Sequence, residues 1–138
     1  DVEQMHDARI IPIFASAIEA RANRRPEVLQ QYMGDSVGWY EGDALVVETI
    51  NVNPQQMQQS STAITKNGRI TERFTRYSDT EIVYRFTVED SDLYSQAWTA
   101  ELSFHTSDGH LYEYACHEGN YSMPGTLAGA RRLEAEQK

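Results

Sequence analysis

The stretch RITERFTRYSDTEIVYRFTVE, residues 69–89, decides the fold. Its two halves alternate apolar and polar residues with a period of two, which indicates β-strands. The polar loop at residues 78–80 is short enough to join them as a hairpin, with Phe74 opposite Tyr84. This register places one mostly apolar row on a single face, whereas a slip by one residue would bury more polar groups for less apolar area.

The apolar row of this hairpin also carries ionisable groups. It consists of Ile70, Glu72, Phe74, Arg76, Ile82, Tyr84, Phe86 and Val88. An unpaired carboxylate buried on such a face costs several kcal/mol or shifts its pKa until it is neutral, so buried acids are normally paired or serve a purpose. Glu72, Arg76 and Tyr84 are therefore candidates for a functional site.

Three further segments show the same alternation, at residues 44–52, 97–105 and 110–118. The connections between several of the strands are too short for the crossovers that parallel pairing requires, so the sheet is expected to be antiparallel. Strands of this number and length tend to curl. We expect a mainly β fold, a small antiparallel lipocalin-like β-barrel or half-barrel, with a sandwich as the alternative.

The first third of the chain differs from the rest. Its residues include good helix formers, with Pro26 at a helix start and Gly34 just past a helix end. This pattern predicts one or two short N-terminal helices. The length fits one domain, residues 1–138. Within it we expect a helical or irregular segment at 1–34 and the barrel core at 35–131.

The last predicted hairpin adds two more ionisable groups to the apolar face. Asp108 and Gly109 form a two-residue turn that pairs Ala100 with His117. Glu113 then lies on the same face as Trp98, whereas Cys116 points to the other side because neighbouring strand residues alternate. By the same alternation Glu48 is the acid on the more apolar row of its strand.

These groups suggest a polar pocket inside the barrel. The leading hypothesis is a cofactor-independent lyase, isomerase or hydratase acting on a small cyclic or aromatic molecule. The proposed catalytic residues are His117, Glu72, Glu48 and Glu113. Arg76 and Tyr84 would stabilise developing charge, and Trp98 and Trp39 would wall the pocket. We expect no metal, because only one inward histidine is evident.

Two other hypotheses remain open. The same barrel would serve equally as a carrier that binds or transports a small ligand without catalysis. A structural or partner subunit would use the polar interior only as an ion-pair network. Loss of turnover in His117→Ala, with folding and ligand affinity retained, distinguishes the enzyme from the other two.

The charge of the chain limits its partners. Asp and Glu outnumber Lys and Arg 21 to 12, giving a formal net charge of −9, which disfavours nucleic acids and anionic membranes. No apolar run is long enough to span a bilayer, and the first residues lack the pattern of a signal peptide. The expected partner is a small molecule, and assembly into a homo-oligomer stays open.

Several motifs resemble those of a large family of mostly secreted bacterial proteins without an established reaction. GDSVGWYEGDALVVET (34–49) is similar to its GDSxGxWEGDTLVVET pattern, and ERFTR (72–76) and YEYACHEGNY (112–121) match two others. Tyr40 and Ala44 depart from the pattern, which has tryptophan and threonine there. The resemblance implies a small exported domain, secreted or periplasmic, seen here as a mature chain.

Overall fold

The structure, a computed structural model, describes residues 9–55, 62–109 and 121–136. These residues form one six-stranded sheet and two helices, so the mainly β class expected from the sequence is confirmed. The elements are β1 (Ile13–Phe14), α1 (Ala17–Ala22), β2 (Asp35–Glu41), β3 (Ala44–Ile50), β4 (Arg69–Arg76), β5 (Glu81–Glu89), β6 (Trp98–His105) and α2 (Ser122–Glu136).

The strands follow one another across the sheet in chain order. β1 pairs with β2 in parallel, and every later pair is antiparallel. The β4–β5 hairpin has the predicted register, with Phe74 opposite Tyr84 and Glu72 opposite Phe86. Within the described part of the chain the sheet is not closed, because β1 and β6 each pair on one side only.

The turn between β2 and β3 explains the tight hairpin at that point. Glu41 pairs with Ala44, which leaves two residues for the turn. Gly42, the first of them, has φ +60°, a conformation that residues with a Cβ adopt at a cost. A two-residue turn with glycine in that position fits the twist of antiparallel strands.

The pairing divides the strand side chains between two faces. The first, here called the aromatic face, carries the ring-bearing residues of the central hairpin together with Glu72. Its members on β4 to β6 are Ile70, Glu72, Phe74, Arg76, Ile82, Tyr84, Phe86, Val88, Trp98, Ala100, Leu102 and Phe104. The opposite, or helix, face carries Val37, Trp39, Val46 and Glu48, and α1 packs on it.

Helix α1 begins at a local cap and ends after six residues. The Ser16 hydroxyl accepts a hydrogen bond from the Glu19 N–H at 3.2 Å, and the Glu19 carboxylate accepts one from the Ala15 N–H. Such reciprocal bonds satisfy amides that have no partner inside a helix. Ala20, the fully buried residue of α1, packs against the core formed with Val37, Trp39 and Val46.

Of the one or two short helices expected near the N-terminus, one, α1, is present in residues 9–34. Residues 27–29 make a turn in which the Leu29 N–H bonds to the Pro26 carbonyl at 2.9 Å. At the other end of the chain, α2 includes residues 122–131, so the prediction that the barrel core extends to residue 131 is wrong. The Ala, Leu, Arg and Glu residues of α2 are strong helix formers, and none of its side chains is buried.

Candidate functional site

Five rings form a continuous row across the aromatic face. Tyr84 stacks on Phe74 with ring centroids 4.8 Å apart and on Phe104 at 5.2 Å. On its other side Tyr84 lies 5.5 Å from Phe86, which meets Trp98 edge to face at 5.6 Å. These separations and angles are those that aromatic pairs favour. Four of the rings are therefore nearly parallel, and Trp98 closes the row edge-on.

One end of this row opens into a cavity of about 360 Å³ at the β4–β5 loop. Ile82 and Phe104 supply its apolar wall, and Arg76 supplies a cation. Ile82 is 41% exposed and Phe104 is 47% exposed, so water contacts both side chains. The Arg76 guanidinium also forms a 2.8 Å ion pair with Asp79, and both side chains are largely in solvent. Exposed ion pairs of this kind contribute little to stability and exchange readily.

Glu72 is the buried acid of the aromatic face. Its Oε1 accepts hydrogen bonds from Tyr84 at 2.9 Å and from Arg9 at 3.0 Å. Its Oε2 lies 2.7 Å from Arg9 Nη1 as an ion pair, although it accepts no well-aligned hydrogen bond within the described residues. Burial raises the pKa of the Tyr84 phenol, and the Glu72 carboxylate raises it further. Tyr84 is therefore a donor that keeps its proton at neutral pH.

Glu48 is the buried acid of the helix face. Arg24 donates to its Oε1 at 2.6 Å and Arg21 to its Oε2 at 2.8 Å, and the side chain is 3% exposed. Burial alone would raise the pKa of Glu48, but the hydrogen bonds and charges of the two arginines hold it below the ordinary value. Arg24 also bonds to the Asp35 carboxylate and carbonyl. This cluster fastens α1 and the following segment to the sheet.

The expectation that Glu48 and Glu72 share one interior is wrong. β3 pairs with β4 so that Val47, not Glu48, lies opposite Glu72, while Glu48 lies opposite Thr71. Because directly opposed residues share a face, the two carboxylates point to opposite sides of the sheet. They cannot act together on one molecule.

The two tryptophans are separated in the same way, so their predicted role as walls of one pocket is wrong. Trp39 is 3% exposed in the core beneath α1 and donates to the Glu41 carboxylate at 2.8 Å. Trp98 lies on the aromatic face against Phe86 and Tyr94. Its buried Nε1 donor has no hydrogen-bond partner in the ranges that the structure describes.

The remaining predicted residues divide into two groups. Arg76 and Tyr84 lie on the aromatic face as expected, Arg76 at the cavity and Tyr84 in the middle of the ring row. His117 and Glu113 lie outside the described residues, so their place on the apolar face stays a prediction.

Three arginines hold the buried acids. None of the three is among the residues predicted from the sequence. Arg9 reaches Glu72 across 63 positions of the chain, and Arg21 and Arg24 reach Glu48 across 27 and 24. No local pattern marks such partners. The only available signal is that each acid on an apolar row needs a cation.

No group of three or more His, Cys, Asp and Glu side chains in residues 9–55, 62–109 and 121–136 is placed to hold a metal ion. In the same ranges no helix has the length and apolar character needed to cross a membrane. No protein-family model, curated protein or solved structure matches the chain.

Proposed function

We propose that the protein binds a small cyclic or aromatic molecule in the cavity lined by Arg76, Ile82 and Phe104. The observation that carries this proposal is the row of stacked rings that ends, half-exposed, in that cavity. Ligand sites are mostly apolar concavities with a few polar groups that fix orientation. An aromatic ring placed against Phe104 would extend the existing stack and remove its apolar surface from water.

The polar groups of the aromatic face have two different roles in binding. Arg76 stands at the rim of the cavity, where its guanidinium can exchange Asp79 for a carboxylate or hydroxyl of the ligand. Glu72 is deeper: it accepts from the Tyr84 hydroxyl and is itself held by Arg9, which fixes the ring that Phe104 stacks upon. A rigid platform of this kind lowers the entropic cost of binding.

Saturation-transfer NMR and titration with benzoate and benzyl alcohol test this proposal. We expect Phe104→Ala to weaken both probes about tenfold, because it removes the stacking partner and apolar area worth roughly 1–2 kcal/mol. Arg76→Gln should weaken benzoate alone. Ile18→Ala, which truncates an exposed side chain on α1, is the matched control. Equal affinity in Phe104→Ala and wild type would rule out this cavity.

An acid–base enzyme that uses the same face is the second candidate. The observation in its favour is Glu72, a buried carboxylate whose Oε2 retains accepting capacity beside the Tyr84 hydroxyl. Its partner would be His117, as the sequence predicts, and Glu48 takes no part because it lies on the other face. The candidate is supported if His117→Ala and Glu72→Gln both lose turnover while they retain affinity for the probes. Unchanged turnover in both variants would rule out the acid–base enzyme.

We also propose the closed lipocalin-like barrel and the export of the protein. The antiparallel order of β2 to β6 and the predicted strand at residues 110–118 support the barrel. In a barrel the aromatic face would line the interior, as the hairpin register predicts. Export rests on the family resemblance alone. Cross-strand NMR contacts between residues 110–118 and β1 or β2 test the barrel, because closure requires this second pairing and an open sheet lacks it.

A further inference from the structure

A second cavity lies at the other end of the sheet, between the segment that follows α1 and the start of β4. Its volume is about 270 Å³, and it is distinct from the cavity beside Phe104. Three cations line it, Arg25, Lys66 and Arg69, together with two carboxylates, Glu27 and Asp35. We call it the cationic pocket.

Two cations of the pocket and one of its two carboxylates, Glu27, have no side-chain partner among the described residues. Arg25 and Lys66 form no hydrogen bond or ion pair with the described residues, and Arg69 reaches Glu48 only at 3.8 Å. Asp35, by contrast, is already bound by Arg24, which lies 3.3 Å away.

Among the side chains that line the pocket, three cations face two carboxylates, one of which is already paired with Arg24. The lining therefore carries an excess of positive charge, and Asp90 and Asp92 are the neighbouring acids behind the turn of Lys66. Such a lining attracts anions in a chain whose net charge is −9.

The turn that carries Lys66 is held rigidly. The Thr65 N–H donates to the buried Asp90 carboxylate at 2.6 Å, and the Gly68 N–H donates to the Thr65 carbonyl at 3.1 Å. A side chain at Gly68 would collide with Ile64 and with the Asp90 carboxylate, which shows how closely the turn packs. Lys66 is thus presented from a fixed backbone.

The opposite wall is fixed by Asn51. This residue has φ +53° and is 8% exposed. Its side-chain amide donates to the Glu27 carbonyl at 2.8 Å and accepts from Gln30 at 3.2 Å. These bonds tie the segment that carries Arg25 to the end of β3. The backbones on both sides of the pocket are therefore in place before any ligand arrives.

We propose that the cationic pocket binds a small oxyanion with more than one negative charge, such as a phosphoryl or polycarboxylate group. Arg25, Lys66 and Arg69 approach it from three segments of the chain, so they can contact different oxygens of one ligand. Arginine offers a planar fork to such groups and lysine a point charge. Glu27 opposes binding and limits it to multivalent anions.

Titration calorimetry with pyrophosphate, inorganic phosphate and citrate tests the proposal at constant ionic strength. We expect saturable binding that weakens about fivefold or more in Arg25→Gln/Lys66→Gln, since each exposed charge contributes modestly. Glu27→Gln should tighten binding. Arg131→Gln, an exposed arginine on α2, should leave it unchanged, and all the substituted side chains are exposed, so folding is retained.

Three outcomes would overturn the proposal. They are the absence of saturable binding for all three anions, equal weakening in Arg131→Gln and the double variant, and equal competition by chloride at matched ionic strength. Preference for pyrophosphate over citrate would identify a phosphoryl ligand, and the reverse would identify a polycarboxylate. Neither result depends on binding at the aromatic face.

Discussion

Glu48→Gln is the substitution whose consequence can be worked out most fully from the structure. The change keeps the shape of the side chain but removes its charge. Arg24, whose side chain is 12% exposed, would then keep only Asp35 as an anionic partner, whereas Arg21, 54% exposed, can regain water. The cost should therefore fall mainly on Arg24.

The magnitude follows from that difference in exposure. Removing one partner of a fully buried ion pair costs about 3–5 kcal/mol, because the other charge is left without compensation. Here Asp35 remains, Arg21 rehydrates, and the glutamine carbonyl still accepts one hydrogen bond, which together lower the penalty. We expect the free energy of unfolding to fall by about 2–3 kcal/mol.

Urea unfolding followed by the fluorescence of Trp39, which lies beneath α1, measures this loss. With a slope of about 2 kcal/mol per molar urea, the midpoint should decrease by roughly 1–1.5 M. Glu134→Gln on the exposed helix α2 is the matched control and should change stability by less than about 0.5 kcal/mol. A Glu48→Gln midpoint as high as that of the control would refute the reasoning.

Three other predictions follow from the same contacts. Folding lowers the pKa of Glu48, so the stability that this carboxylate contributes is complete above its unfolded pKa of about 4.3 and is lost as the pH falls below that value. Between pH 7 and pH 3 the urea midpoint should therefore fall more in wild type than in Glu48→Gln. Tyr84→Phe removes a hydrogen bond to Glu72, so stability measured by thermal unfolding should fall by about 1–2 kcal/mol, and an unchanged Tm would contradict the contact. Gly38→Ala places a Cβ 2.7 Å from Ile13 Cδ1 and 3.2 Å from the Val46 carbonyl oxygen. Because the end of the half-exposed Ile13 side chain can turn aside, calorimetric unfolding should show a loss of less than about 1 kcal/mol, and a larger loss would contradict this relaxation.

The central hairpin could be predicted because the residues that determine its register lie within one short segment of the chain. Alternation and a short loop determine which residues of 69–89 oppose each other, and the structure has that register. Phe74, Tyr84 and Phe86 therefore lie on one face, and the aromatic row is largely a consequence of this pairing. The signal for α2 is local too, because its residues are strong helix formers, but the family motif that runs through residues 112–131 favours a barrel core up to residue 131.

The relation between β3 and β4 could not be predicted in the same way. More than fifteen residues separate the two strands, so alternation within each strand leaves open which of its faces meets the neighbour. Glu48 was assigned to the more apolar row of its own strand, but both rows of β3 are largely buried. Hydrophobicity therefore could not separate the row of Glu48 from that of Thr49.

The arginine partners show a second limit of sequence reasoning. A carboxylate on a buried row predicts that a cation is near, but not which one of the arginines supplies it. Arg9 and Arg24 come from irregular segments that are positioned by the fold as a whole. Their contacts also bear on the hypothesis that His117 works with Glu48, Glu72 or Glu113. Glu48 is held by Arg21 and Arg24 on the helix face, and Glu72 is held by Arg9 on the aromatic face.

Backbone amide NMR during titration with benzoate tests the central claim most directly. The proposal predicts saturable shifts confined to the amides around the cavity, in residues 76–84 and 102–106, that require about tenfold more benzoate in Phe104→Ala. Amides of β2 and α1 should not move. Shifts centred on β2 and α1, or no saturable shift at any amide, would contradict binding at the aromatic face.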